Sequence, residues 1–436
     1  MEPQEALERA LKVAQEAEVF HLHRRDEPVV FEANRLKRIE GRESSGMALR
    51  IVKDGRIGFS STTNERDVES LVDNAVEMAP FGPKAWLTFP GPQRYEEVPV
   101  HDPEVESLPL DDMVQLGQGM IDQVRRHTPD LLCQAAVARD VTTLSVYNSR
   151  GTEARYTKAV FSASIEGELI QDTDMLFVWE GESACHPITD TSTIVGSVLQ
   201  QLERSRQVVP APTGEMPVLF TPHGIVEALL PPLLAGLNGR AVLKGASPLV
   251  DKLGSELLDK GFSLYDDATM PFVPGSRICD DEGVPSRRLA LVEGGTISSF
   301  LYDLQTAAQA GAASTGSARR GLASMPGPAA SVLILKEGTE TEEGMLGGIG
   351  RGLVVEHLLG AGQSNVQGGE FSANLLLGYL VEKGKIKGRV KNTLIAGNVY
   401  NVLRRIRGVG RESRWVGGST KTPPLLCEGV SVATES

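Results

Sequence analysis

Three glycine-centred turns, each flanked by alternating apolar residues, constrain this chain more than any other feature. Lys53-Asp54-Gly55 joins two extended segments within GMALRIVKDGRIGFSST, residues 46–62. Asn148 to Gly151 turns the run TTLSVYNSRGTEARYTKAVF, and Gly294-Gly295 turns RRLALVEGGTISSFLYD. Turns of this composition supply the positive φ that tight hairpins need, so each flanking pair is expected as an antiparallel ladder. Further strands are read at MPVLF (216–220), SVLILKEG (331–338), GLVVEHLL (352–359) and GYLVEKGKIKGRV (378–390).

Helical periodicity is concentrated in the first half. Leu7, Leu11, Ala14 and Ala17 predict an amphipathic helix over residues 4–18, and Val68, Leu71, Val72, Ala75 and Val76 a second. Helices are also expected over Met113–Val124 and around Ile194–Leu202. Runs of strands with few crossover helices predict an α+β fold rather than a doubly wound sheet. RQVVPAPTGEMP, residues 206–217, holds three prolines and one glycine and reads as a break. The expected organisation is an N-terminal domain of mixed helices and hairpins over residues 1–206, a linker over 207–217, and a β-rich C-terminal domain over 218–436.

Charge and composition exclude several classes of function. The formal net charge is −13, with 57 acidic against 44 basic residues, which disfavours direct contact with a phosphate backbone. The basic stretch NVLRRIRGVGRESR, 401–414, is short and interrupted by apolar residues, so it reads as a solvated or interface element. No apolar run approaches the roughly 20 residues that span a bilayer. The acidic amphipathic N-terminus has no signal-peptide pattern, and a cytoplasmic location is expected. Cys133, Cys185, Cys279 and Cys427 show no C-x-x-C spacing and are expected as reduced, buried thiols.

Standard catalytic signatures are absent: no G-x-x-x-x-G-K-[ST] loop and no G-x-S-x-G elbow. GMLGGIGRG, 344–352, reads as a flexible loop. His21 and His23 share a strand face and Cys185 adjoins His186, but zinc needs three or four converging groups. In TPHGIVEALLPPLLAG, 221–236, Thr221 is an N-cap, Pro222 a first helical residue, and His223 and Glu227 lie one turn apart. They are expected as a surface pair on a core-packed helix that Pro231-Pro232 kinks or breaks. Asp280, Asp281 and Glu282 form a compact acidic cluster before Gly283, expected as a solvated turn. His223, Glu227, Asp280, Asp281 and Glu282 are the fallback metal ligands; no catalytic or cofactor-binding residue is assigned.

Four segments carry a resemblance to a known family: GMALRIVKDGRIGFSST (46–62), LKGASPLVDKLGSEL (243–257), CDDEGVPSRR (279–288) and GGEFSANLLLGYLVEKGKIKG (368–388). In this order the chain resembles the TldD/PmbA proteins, called modulators of DNA gyrase and classed as metallopeptidases. The resemblance implies that in the TldD branch the 222–237 helix carries H-E-x-x-x-H, completed as a zinc site by a cysteine in a C-terminal glycine-rich loop. Counting back from Gly245 and Ser247 places that motif on Leu230-Pro231-Pro232-Leu233-Leu234-Ala235, none of which binds zinc. The loop expected to supply the cysteine falls at Gly408 to Gly418 and holds none. The chain therefore resembles the PmbA branch, also called TldE. That branch implies a noncatalytic partner of a zinc-bearing TldD-like subunit in a heterodimer acting on unfolded or short peptides, with no cofactor in this chain. Two alternatives stay open: an independent hydrolase with a rebuilt metal site, drawing on the acidic cluster for magnesium or calcium, and a homodimeric peptide-binding scaffold.

Overall fold

The computed structural model describes residues 3–64, 66–172, 174–361 and 364–434. Helix α1 (Pro3–Ala10) leads into an antiparallel sheet of β1 (Glu16–Glu32), β2 (Arg35–Ile39), β3 (Arg42–Lys53), β4 (Arg56–Thr62), β5 (Leu132–Asn148), β6 (Glu153–Gln171) and β7 (Asp174–Ala184). Its order is β4-β3-β1-β5-β6-β7, with β2 also paired to β1. The turns behave as their residues dictate. Asp54 and Gly55 have φ of 51° and 74°, the left-handed pair that a two-residue hairpin requires. At the β5–β6 turn the Asn148 side chain accepts hydrogen bonds from the Arg150 and Thr152 amides.

Along β6, Ala159, Phe161, Ala163 and Ile165 alternate into the core. Helices α3 (Leu110–His127) and α4 (Ser192–Arg204) cover that face through Met113, Met120, Ile121, Val124, Ile194 and Val198. Helix α2 (Val68–Met78) packs on β4, where a Cβ on Gly58 would stand 2.1 Å from the Ala75 carbonyl, so only glycine admits the contact. The predicted first helix is shorter than its apolar period. It ends at Ala10, because Ala17 pairs with Ile51 of β3 and the ladder outweighs the helical spacing.

The second half is built on a barrel. Strands β8 (Gly214–Phe220), β9 (Arg351–Leu359), β10 (Glu370–Glu382), β11 (Thr393–Asn398) and β12 (Leu425–Thr434) form a closed ring. The neighbours run β9-β8-β12-β11-β10, and β10 pairs back onto β9. Only the β9–β8 contact is parallel. A six-stranded sheet lies beside the barrel, from Thr296–Ile297 through Leu264–Asp267 to Arg414–Val416. This is an α+β fold.

One apolar cluster combines Phe161, Val178 and Leu202 with Leu219, Val354 and Tyr379, so the first sheet and the barrel share a core. The proline-rich stretch runs along this junction, where the Val209 amide donates to the Arg389 carbonyl and the Arg389 amide to that of Gln207. Instead of a loop, GMLGG forms the short helix Glu342–Gly347, capped by the Thr341 hydroxyl and anchored by buried Met345. The basic 401–414 stretch is neutralised at the surface, where Arg405 pairs with Glu215 and Arg407 with Glu428. No helix among the described residues is long and apolar enough to cross a membrane.

Candidate functional site

The 222–237 helix leaves the end of β8 and lies across the parallel neighbour β9. Thr221 caps it, with its side chain accepting the Gly224 amide, while the Thr221 amide donates to the Val355 carbonyl. Pro231 and Pro232 lack amide protons, yet the helix does not break. Residues Ile225–Leu229 widen into a π-turn in which the Leu230 amide bonds to the Ile225 carbonyl, and Leu230–Leu237 continues as α-helix with the prolines in its first turn. Gly224 lets the helix sit tightly on β9: a Cβ there would stand 2.6 Å from the Val355 carbonyl. Gly224→Ala is expected to destabilise the protein by about 1–3 kcal/mol, read by chemical denaturation.

The expected surface pair of His223 and Glu227 is not formed. His223 is buried and its Nε2 lies 3.1 Å from Glu180 Oε1 on β7, while Glu227 turns to β9. There Glu227 Oε1 meets His357 Nδ1 at 3.1 Å, and its Oε2 accepts the Leu358 amide at 2.6 Å. The reason is the wide π-turn together with an irregular β9, whose register slips on both sides of His357 and aims that imidazole at the helix. The two histidine rings lie 4.6 Å apart, and Trp179 stands edge-on to both. Helix α4 fixes Trp179: Gln201 accepts its amide and donates to its carbonyl.

The electrostatics follow from this packing. Burial alone would raise the Glu180 carboxyl, but its contact with His223 and the Gly181 amide hold it below the ordinary carboxylate range. Burial alone would lower His357, but the hydrogen bond and charge of Glu227, helped by Glu356 and Glu180, hold it above the usual imidazole value. Among the described residues, His223, Glu227 and His357 are the one trio of His, Cys, Asp or Glu whose potential ligand atoms converge, all within 4.8 Å of one another. His357 is the member that sequence reasoning missed. It sits in GLVVEHLL, an ordinary strand pattern, and only the slipped register brings it inward.

The other expected site residues lie elsewhere. Asp280, Asp281 and Glu282 are buried rather than solvated. Every carboxylate there is already engaged. Asp280 accepts the Glu282, Val284 and Ala318 amides, Asp281 accepts the Arg320 amide and faces Arg277, and Glu282 accepts Arg50 Nη1 and the Leu304 amide. This cluster is a neutralised joint, with no free oxygen for a hard cation. His21 bonds to Ser45 and His23 to Glu43, and His186 is exposed beside Phe272. The four cysteines are buried and unpaired.

At the stretch aligned by resemblance with a peptidase zinc motif, Pro231, Leu234 and Ala235 line a cleft of about 440 Å³ with Ser331 and Thr420. Leu230 and Leu233 face the core. Nothing in Leu230-Pro231-Pro232-Leu233-Leu234-Ala235 donates an electron pair suited to zinc, so the group does not fit at that position.

Known proteins share this architecture. The family model described as the PmbA/TldA metallopeptidase C-terminal domain matches residues 213–434, and that of PmbA/TldA metallopeptidase domain 1 matches residues 17–79. The chain is therefore metallopeptidase-like in architecture. It belongs to the PmbA/TldD family. The structure of TldE from Thermococcus kodakarensis is similar over 99% of both chains, with 26% identity and a TM-score of 0.89. A Methanocaldococcus jannaschii protein described only as uncharacterized is 24% identical over 91% of this chain and 93% of its own. The metalloprotease TldD homolog of Haemophilus influenzae is 30% identical over 47% of this chain and 42% of its own length.

Proposed function

We propose that this chain is the noncatalytic, TldE/PmbA-like subunit of a peptidase complex acting on unfolded or short peptides. The observation that carries this reading is that leucine, proline and alanine stand where the resemblance places the peptidase's metal-binding motif, on the helix Leu230–Leu237. Full-length likeness to TldE agrees with it. The partner in this reading is a TldD-like subunit that supplies the zinc, and the compartment is the cytoplasm, where four unpaired cysteines stay reduced. The cleft lined by Pro231 and Leu234 is where extended peptide would be held.

The purified chain is expected to leave unfolded peptides intact, with or without added zinc. Cleavage should appear on adding a TldD-type subunit and disappear with EDTA. Chelator-sensitive cleavage by the chain alone would overturn this reading in favour of an independent hydrolase. A stable homodimer in sedimentation, with no association with any TldD-type subunit, would favour the scaffold.

A further inference from the structure

We propose that His223, Glu227 and His357 bind a single divalent transition-metal ion, zinc by its ligand chemistry, at the start of the 222–237 helix. His223 lies seven positions before Leu230, so this centre is distinct from the inherited peptidase position. Two imidazoles and a carboxylate are the donor set that zinc takes at about 2.0–2.2 Å. Around a tetrahedral ion, bonds of that length place the donors about 3.3 Å apart. From the observed spread of up to 4.8 Å the donors must close in by about 1.5 Å to reach that spacing.

A second observation points to a ligand. His357 is 5% exposed, and its Nε2 is buried with no hydrogen-bond partner among the described residues. A buried polar atom left in this way costs about 1–3 kcal/mol; coordination through Nε2 would recover it once Glu227 turns from Nδ1 toward the ion. The surroundings are those of a metal centre's outer layer. Glu180 holds His223 Nε2 and leaves Nδ1 to ligate, the carboxylate–imidazole arrangement that orients a ligand. The Gly181 amide fixes Glu180, the Leu358 amide fixes Glu227, and Trp179 walls off both rings. On one side the site meets a cavity of about 110 Å³ lined by Glu180, His223, Glu356 and Arg204, through which an ion can enter.

The test uses the full chain, stripped with chelator and then equilibrated with zinc chloride or, for its visible spectrum, cobalt chloride. About one equivalent of tightly held zinc is expected after dialysis, with a rise in melting temperature and the intense absorption of tetrahedral cobalt. His357→Gln and His223→Ala should each hold less than about a tenth of an equivalent, a loss of at least about tenfold. Unchanged circular dichroism in EDTA would show that the variants fold. Wild-type protein that retains under a tenth of an equivalent, or variants that retain as much as wild type, would overturn the proposal. It stands apart from the subunit reading: zinc bound without proteolysis supports both, whereas zinc-dependent proteolysis lost in His357→Gln overturns the subunit reading alone.

Discussion

Replacing Arg50 by methionine is expected to destabilise the protein by about 3–5 kcal/mol, the magnitude for removing one member of a buried ion pair. Arg50 on β3 sends Nη2 to Glu18 Oε2 at 2.8 Å and Nη1 to Glu282 Oε1 at 2.6 Å. Its side chain is 3% exposed and both carboxylates are 0% exposed, so water cannot replace the lost cation. Arg320, stacked over Phe20 and 3.0 Å from the other Glu18 oxygen, would compensate only one of the two acids. Burial raises the Glu282 carboxyl against the pull of Arg50, and nearby Asp280, Asp303 and Glu18 push the same way. Urea unfolding gives the number directly. The double variant Arg50→Met with Glu282→Gln should lose less than the sum of the single losses, because each then spares the other an unpaired charge. Strict additivity would mean that the pair is not coupled.

The second large effect lies inside the barrel. Phe371→Ala is expected to cost about 3–5 kcal/mol through lost burial and the cavity left behind. The ring is 1% exposed and meets Phe220 edge-to-face at 6.3 Å. Gly397 makes room for it, since a Cβ there would stand 2.7 Å from Phe371 Cζ. A neighbourhood already shaped around the ring by a glycine cannot readily collapse into the space. The denaturation midpoint should fall with little change in slope; a change in slope would mean instead that the compactness of the native or denatured state had shifted.

Local chemistry made much of this fold legible in the sequence. Asp54-Gly55 and Gly294-Gly295 announce their hairpins because few other residues accept the required φ, and both turns occur where expected. The start of the 222–237 helix was readable from Thr221 and Pro222, and the strain of two prolines was foreseeable, though not that a π-turn would absorb it. What escaped was whatever depends on distant partners. Asp280, Asp281 and Glu282 read as a solvated turn because Arg50 lies 232 residues from Glu282. His223 reads as paired with Glu227 because its real neighbour, Glu180, is 43 residues earlier on the edge of the other sheet. His357 carries no local signal, since a slip in strand register is set by how β9 meets β10.

The closed ring also governs when the protein can become itself. Strand β8 begins at Gly214, yet its antiparallel neighbour β12 spans Leu425–Thr434, with Leu425 opposite Phe220. During synthesis, β8 and the helix it launches must wait about 200 residues for that neighbour, at roughly 5–20 residues per second. Both flanks of this apolar strand stay open until β9 is made at Arg351–Leu359, and the β12 flank until the end, while the first sheet already has all its strands. Such distant pairings fold slowly, and the half-made barrel is the stage most exposed to aggregation.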